Sequence, residues 1–187
     1  MKSILYLASM SPRRREILQS LGIEFTVTPV DIDEQALPDE TPAAMVLRLA
    51  TAKANAAAQG DIVLAADTMV VLGDRVLGKP RDADDAVEML TALSGHTHIV
   101  MTGVALKTPQ STQSVMSATH VQFREISPDE AYRYWHSGEP SDKAGAYGIQ
   151  EWIGKIGITR IEGDYYNVMG LPACRVYQEL GLFVEEL

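Results

Sequence analysis

Three arginines stand in a row at residues 13–15, inside SMSPRRREIL (9–18), in a chain whose acidic residues outnumber its basic ones. They follow an apolar run, ILYLA (4–8), and open a segment that reads as a helix. A cation in the first helical turn meets the positive end of the helix dipole, at a cost of about 0.3–1 kcal/mol each. A bound anion reverses that sign. Strand, short turn, helix N-terminus and the forked guanidiniums of Arg13 and Arg14 make a phosphate site. Three solvated arginines, or ion pairs with Glu16 or an acidic loop, account for the run equally well.

Several other stretches carry residue types suited to chemistry. In AADT (65–68), Asp67 and Thr68 interrupt an apolar run that reads as buried. An ionised carboxylate there has to be paired or metal-bound, so Asp67 is a base, a metal ligand or an arginine's structural partner. Asp33 and Glu34, in the acidic loop 31–42, offer hard oxygen ligands of the kind magnesium takes, or are simply solvated. Lys53, on an alanine-rich segment, reads by itself as a surface lysine. GDRVLGKP (73–80) comes close to the phosphate-binding pattern G-x-x-x-x-G-K-[ST]. Pro80, however, has no hydroxyl for magnesium and biases Lys79 away from helical geometry. Lys79 either reaches a phosphate as a point charge or sits in a surface turn.

In DKAGAYGIQ (142–150), glycines, an aromatic and a terminal amide crowd a stretch with little regular pattern. The Gln150 amide both donates and accepts, which suits the imide edge of uracil or thymine. Its structural alternative is a loop residue bonded to backbone. His96 and His98 are spaced like neighbours on one strand face, but no cysteine lies near and zinc is disfavoured. Ser9 and Ser11 lack a Ser/His/Asp setting, and Ser11 reads as a helix cap. Tyr132, Tyr134 and Trp135 read as packing residues on their helix.

The elements that must position these residues alternate between strand and helix patterns. ILYLAS (4–9) reads as a buried strand, and Ser11 and Pro12 open a helix that Gly22 ends. EFTVTPV (24–30) reads as a strand, and a helix runs from about Pro42 to Gln59. DIVLAADTMVVL (61–72) is a long apolar strand, turning at Gly73-Asp74 into RVL. Asp82 opens a helix that ends at Ser94-Gly95. Strands follow at 97–108 and 114–126, then a capping box at Ser127–Glu130 with a helix to about Gly138. Residues 142–157 read as irregular, 158–168 as a hairpin turning at Gly163-Asp164, and Pro172 opens a last helix to about Leu180. No internal repeat or low-complexity segment interrupts the pattern.

With 187 residues, 46% of them apolar, the chain is expected to form one α/β domain, or one domain with two lobes. Sixteen basic and 25 acidic residues give a net charge of −9, which argues against nucleic acid or an acidic membrane as a partner. It leaves room for one local basic pocket. The single cysteine, Cys174, fits a reducing cytoplasm. No signal peptide or membrane span is expected.

Taken together, SMSPRR (9–14), ADT (66–68), GKP (78–80), SGHTH (94–98), DKAGAYGIQ (142–150) and YYNVMGLP (165–172) resemble the Maf family of nucleoside triphosphate pyrophosphatases. The resemblance runs in order from residue 4 to about 180. It implies a single Maf-like domain over 1–187, with an elongated, twisted mixed sheet flanked by helices and two lobes with a cleft between them. It implies hydrolysis of a nucleoside triphosphate between its α- and β-phosphates, a divalent cation (Mg2+ or Mn2+), and often a homodimer. The family is linked to septum formation and to clearing non-standard nucleotides. By the resemblance Asp67 is the general base, Glu34 and Asp67 hold the metal, and Arg13, Arg14, Lys53 and Lys79 hold the triphosphate.

Arg13, Thr68 and Gln150 match the subfamily acting on dTTP and UTP, with modified pyrimidine triphosphates as further candidates. The relative acting on 7-methyl-GTP tends to carry Trp, Gln and Glu there. A 7-methyl-GTP-type enzyme and a non-catalytic nucleotide-binding regulator of cell division are the competing expectations. One position departs from the family pattern: Glu151 stands where glycine is usual, a carboxylate expected to disturb the loop or repel the substrate.

Overall fold

Short apolar segments separated by amphipathic helices leave one economical arrangement, a sheet with helices packed on it. The computed structural model describes residues 4–57, 62–138 and 140–181, and its strands form a seven-stranded mixed sheet. In chain order the elements are β1 (Leu5–Leu7), α1 (Pro12–Ser20), β2 (Thr26–Val27), α2 (Pro42–Ala56), β3 (Ile62–Leu72), β4 (Arg75–Leu77), α3 (Ala83–Leu93), β5 (Thr97–Lys107) and β6 (Thr112–Phe123). They continue with α4 (Pro128–Trp135), α5 (Trp152–Gly157), β7 (Ile158–Glu162), α6 (Tyr165–Met169) and α7 (Ala173–Gly181). The strand order is β2-β1-β3-β5-β6-β7, with β4 also paired to β3. β1 runs parallel to β2 and β3, while β4 with β3 and β7 with β6 are antiparallel.

Contacts gather the chain into two compact units. The first comprises Met1–Asp67, Thr102–Ser117 and Gly170–Leu187, and the second Thr68–Met101 and Ala118–Met169. In the first unit α2 buries a stripe of Val46, Leu49, Ala50 and Ala54. Its alanines meet Ala8, Val63, Ala65 and Ala105, so small side chains line both surfaces. Small residues let backbones approach, and here they do. A Cβ added at Gly103 of β5 would stand 2.3 Å from the Val46 carbonyl oxygen of α2. In the second unit a larger core gathers Val70, Leu90, Phe123, Tyr134 and Ile153 with their neighbours.

Most predicted elements are present. The Gly73-Asp74 turn joins β3 to β4 in the register Leu72↔Arg75, which removes the phosphate-loop reading of 73–80. Asp82 caps α3 by accepting from the Asp85 N–H, and the Ser127–Glu130 capping box is formed. Four expectations change. Ser11 occupies the N-cap of α1 with extended backbone, but its hydroxyl caps nothing. The strand expected over 24–30 shortens to Thr26–Val27, because Pro29 has no N–H to extend a ladder. The 142–157 stretch is not wholly irregular: it holds two single 3-10 turns and then α5. The Gly163-Asp164 turn leads into α6 rather than a return strand. The Asp164 carboxylate accepts from the Tyr166 N–H at 2.8 Å and starts a helix instead. The helix end expected at Gln59 and the strand start at Asp61 lie outside the described residues.

The α2–β5 approach yields a direct test. Gly103→Ala should lower unfolding stability by about 1–3 kcal/mol, since the obstructing atoms are backbone and cannot rotate away. Urea denaturation of the variant against the parent protein measures it; an unchanged midpoint would show that the helix is not seated this closely.

Candidate active site

In the first unit the residues singled out for chemistry come together around one carboxylate. Asp67 lies in the middle of β3, only 8% exposed. The pairing of β3 with β1 reaches only Leu64 and that with β4 begins at Val70, so Asp67 falls between the two. Lys53 lies four and three residues beyond Leu49 and Ala50 on α2, and so extends the buried stripe. Its ammonium donates to Asp67 Oδ1 at 2.6 Å and pairs with Glu34 Oε1 at 2.6 Å. Lys53 is therefore no surface lysine, and Glu34 is not merely a solvated residue of the acidic loop.

Arg14 completes the group. Its guanidinium donates from Nη1 to Ala66 O at 2.8 Å and Ser9 Oγ at 3.1 Å, and from Nε to Gly170 O at 2.8 Å. The Ala66 carbonyl lies past the end of the β1 pairing, so Arg14 supplies a hydrogen that a longer strand would have supplied. Burial pulls the Arg14 guanidinium down to about 10, and the neighbouring Arg13 charge pulls the same way, while Asp67 and Glu34 oppose both. It remains a cation at neutral pH. Ser9 Oγ also accepts from the Ser11 N–H at 3.3 Å, which fixes the turn between β1 and α1. The sequence weighs Ser9 only as a nucleophile and sets it aside; the signal for its actual role is a serine just past a buried strand and two residues before the helix N-cap.

Arg13, also in the first unit, is half-buried on α1; the second unit holds Thr68, Lys79 and Gln150. Thr68, its first residue, is half-buried. Lys79 is exposed, with no ion pair among the described residues. The loop that carries it is anchored, since the Gly145 N–H donates to Gly78 O at 2.9 Å, joining the GKP and AGAYG segments. Gln150 is half-buried, and its Oε1 is enclosed without a hydrogen-bond partner among the described residues. Glu151 does not face outward beside it: its carboxylate pairs with Lys143 Nζ at 2.9 Å. Tyr134 is buried, and its hydroxyl also reaches Glu151, whereas Tyr132 is exposed and bonds Asp84. His96 is exposed and meets the Ser94 carbonyl, while His98 is buried, so the two do not form a zinc pair.

Glu34 and Asp67 present oxygens to one cation position, now taken by the Lys53 ammonium. Two hard carboxylate donors suit a magnesium-like ion that takes its other ligands from phosphate and water. Among the described residues no group of three or more His, Cys, Asp or Glu gathers to hold a metal by itself. Nor is any described helix long and apolar enough to cross a membrane.

The first unit thus places a buried carboxylate in contact with Lys53, with the Arg14 guanidinium nearby, charges of the kind that suit a phosphate group. The chain belongs to the Maf-like protein family, whose model matches residues 4–183. A dTTP/UTP pyrophosphatase of Pseudoalteromonas translucida is 47% identical over 188 residues, covering 98% of this chain and 99% of that protein. Another from Moorella thermoacetica is 50% identical over 186 residues, covering 97% and 95%. A third, from Hahella chejuensis, is 51% identical over 176 residues, covering 91% and 87%. The solved structure of a HAM1 protein from Coxiella burnetii shares the fold, with a TM-score of 0.51 at 17% identity over 99% of this chain and all of that one.

The second unit's loop rests on a histidine whose titration is measurable. His98 Nε2 and the Tyr147 hydroxyl share a hydrogen bond of 2.7 Å, and both rings meet Phe123 edge-on. Burial pulls His98 down to about 4 from its ordinary 6.5 and pushes the Tyr147 phenol up. Between those two values the unfolded chain holds a proton that the folded chain refuses. Stability should therefore fall as pH drops through this window, by up to roughly 3 kcal/mol. Denaturation of the parent and His98→Asn across pH 4–7 measures it; parallel curves for the two proteins would exclude the effect.

Proposed function

We propose that this protein hydrolyses dTTP and UTP between the α- and β-phosphates, giving the nucleoside monophosphate and pyrophosphate. The observation that carries the reading is the Lys53–Asp67 pair at 2.6 Å, a buried carboxylate held beside cations where α1 begins. Its support is the activity for which the relatives aligned over nearly the whole chain are named.

Asp67 accepts a proton from water as that water attacks the α-phosphorus in line. The α–β bridging bond breaks, and its electron pair leaves on pyrophosphate. Lys53, Arg13, Arg14 and Lys79 hold the triphosphate and balance the charge that builds on the leaving group. Glu34 and Asp67 would hold a divalent cation, Mg2+ or Mn2+, which would supply neutralisation of phosphate charge. No side chain needs to act as nucleophile. For base choice, the Gln150 amide meets the imide edge of uracil or thymine, its oxygen accepting from the imide N–H. Cytosine presents an acceptor at that position and leaves both groups unpaired. Modified pyrimidine triphosphates that keep the imide edge remain substrates on this reading.

Asp67→Asn should lower kcat for dTTP at least about 100-fold while the folded spectrum and nucleotide binding persist. Near-normal turnover would remove the base assignment. Arg13→Ala should raise KM more than it lowers kcat. A panel of dTTP, UTP, CTP and 7-methyl-GTP with magnesium or manganese, products separated by chromatography, tests the reaction itself. Equal monophosphate and pyrophosphate from dTTP and UTP is the expected result. Nucleotide binding without product, or release of single phosphate, would overturn it.

A further inference from the structure

Glu151 follows Gln150 at the N-cap of α5, yet its side chain does not cap that helix. The carboxylate folds back over the preceding turn, 13% exposed, and its Oε1 lies 2.9 Å from Lys143 Nζ. The same ammonium, 8% exposed, also holds Asp142 Oδ1 at 2.7 Å. From another side Tyr134, 1% exposed, donates its hydroxyl hydrogen to Glu151 Oε2. That phenol oxygen accepts in turn from the Gly148 N–H at 3.1 Å. One oxygen thus connects the start of the turn, through backbone, to its end, through the Glu151 side chain.

The turn is gripped by shape as well as by charge. A Cβ on Gly148 would stand 2.6 Å from the Glu151 carboxyl carbon, so the carboxylate fills the space that glycine leaves. From within α5, a Cβ on Gly154 would stand 2.2 Å from the Ile149 carbonyl oxygen. The Glu151 N–H closes the turn on Gly148 O at 3.1 Å. Residues 148–150 are therefore fixed on both sides, and the residue so fixed is Gln150, with its enclosed acceptor.

We infer that Glu151 is a positioning residue for base selection: with Lys143 and Tyr134 it sets the 148–150 turn, and the turn sets the Gln150 amide. This rests on the proposed reading of Gln150 as the group that meets the base. Glu151→Gln preserves shape and removes the ion pair. Tyr134→Phe preserves the ion pair and removes the phenol bridge, so it tests the same turn if the first variant folds poorly.

Kinetics of the full-length protein with UTP and CTP, kcat and KM taken separately, provide the test. Either variant should raise KM for UTP about tenfold, the loss of one well-placed interaction. kcat should stay within about twofold, and the preference for UTP over CTP should fall about as far as KM rises. Combining the two substitutions should cost less than the product of the separate effects, because both act on one turn. Equal losses with both nucleotides, or a fall in kcat at constant KM, would reduce Glu151 to a stabilising contact and overturn the inference. Gln150→Ala separates the two readings. If it abolishes the preference while Glu151→Gln and Tyr134→Phe keep it, the positioning role fails and base reading stands. If it keeps the preference, both fail.

Discussion

A charge inside an apolar strand constrains everything near it. Asp67 sits among Ala65, Ala66, Met69 and Val70, and an ionised carboxylate there is costly without a cation in contact. Lys53 meets that demand at 2.6 Å, and the demand explains features that otherwise look unrelated. A lysine reaches this carboxylate only from a helix seated hard against the sheet. The seat is made by the alanine stripe of α2 and by Gly103, which leaves room for the Val46 carbonyl. The arginine run follows the same logic. Arg14 lies at the positive end of α1, where cations are disfavoured, yet three oxygens and the field of Asp67 surround it.

Much of this was legible in the sequence. Asp67 announced itself as a polar residue inside an apolar run, and the arginines as cations at a helix start. The hairpin at Gly73-Asp74 and the caps at Asp82 and Ser127 followed from local chemistry and are present. What failed had both distant and local causes. By itself Lys53 reads as a surface lysine on an alanine-rich helix; its spacing from Leu49 and Ala50, four and three residues, is what sets it on the buried stripe. Gly163-Asp164 has the composition of a hairpin turn, but the Asp164 carboxylate bonded forward and began α6. Ser9 lacks the setting of a nucleophile in the sequence; its observed role is to receive hydrogens from Arg14 and from the Ser11 backbone.

The overall charge works against a polyanionic substrate. At −9 the chain repels a triphosphate at long range. Salt screens that repulsion beyond about 8 Å at physiological strength, so what counts is the first contact layer. In the proposed site two of the four cations, Lys53 and Arg14, are already fixed by folding. Lys53 is inward and paired, and Arg14 is bonded to backbone, each with little freedom left to lose when an anion arrives. Preordered cations give up less entropy on binding than mobile surface lysines do. An acidic protein can thus hold a phosphate with few basic residues, provided that folding has already fixed them.

The second unit addresses a different physical problem, and Glu151 shows how. A buried lysine–glutamate pair is a poor source of stability, because apolar side chains of the same volume usually serve as well or better. Lys143 and Glu151 are nevertheless both inward, bonded to each other, to Asp142 and to Tyr134. Directional bonds fix geometry where apolar contacts allow sliding, and the geometry fixed here is a three-residue turn with a glycine at its start and an amide at its end. A neutral amide distinguishes one base edge from another only if its oxygen and nitrogen point in known directions. A turn pinned by ions and by glycine packing is a physical means of keeping them there.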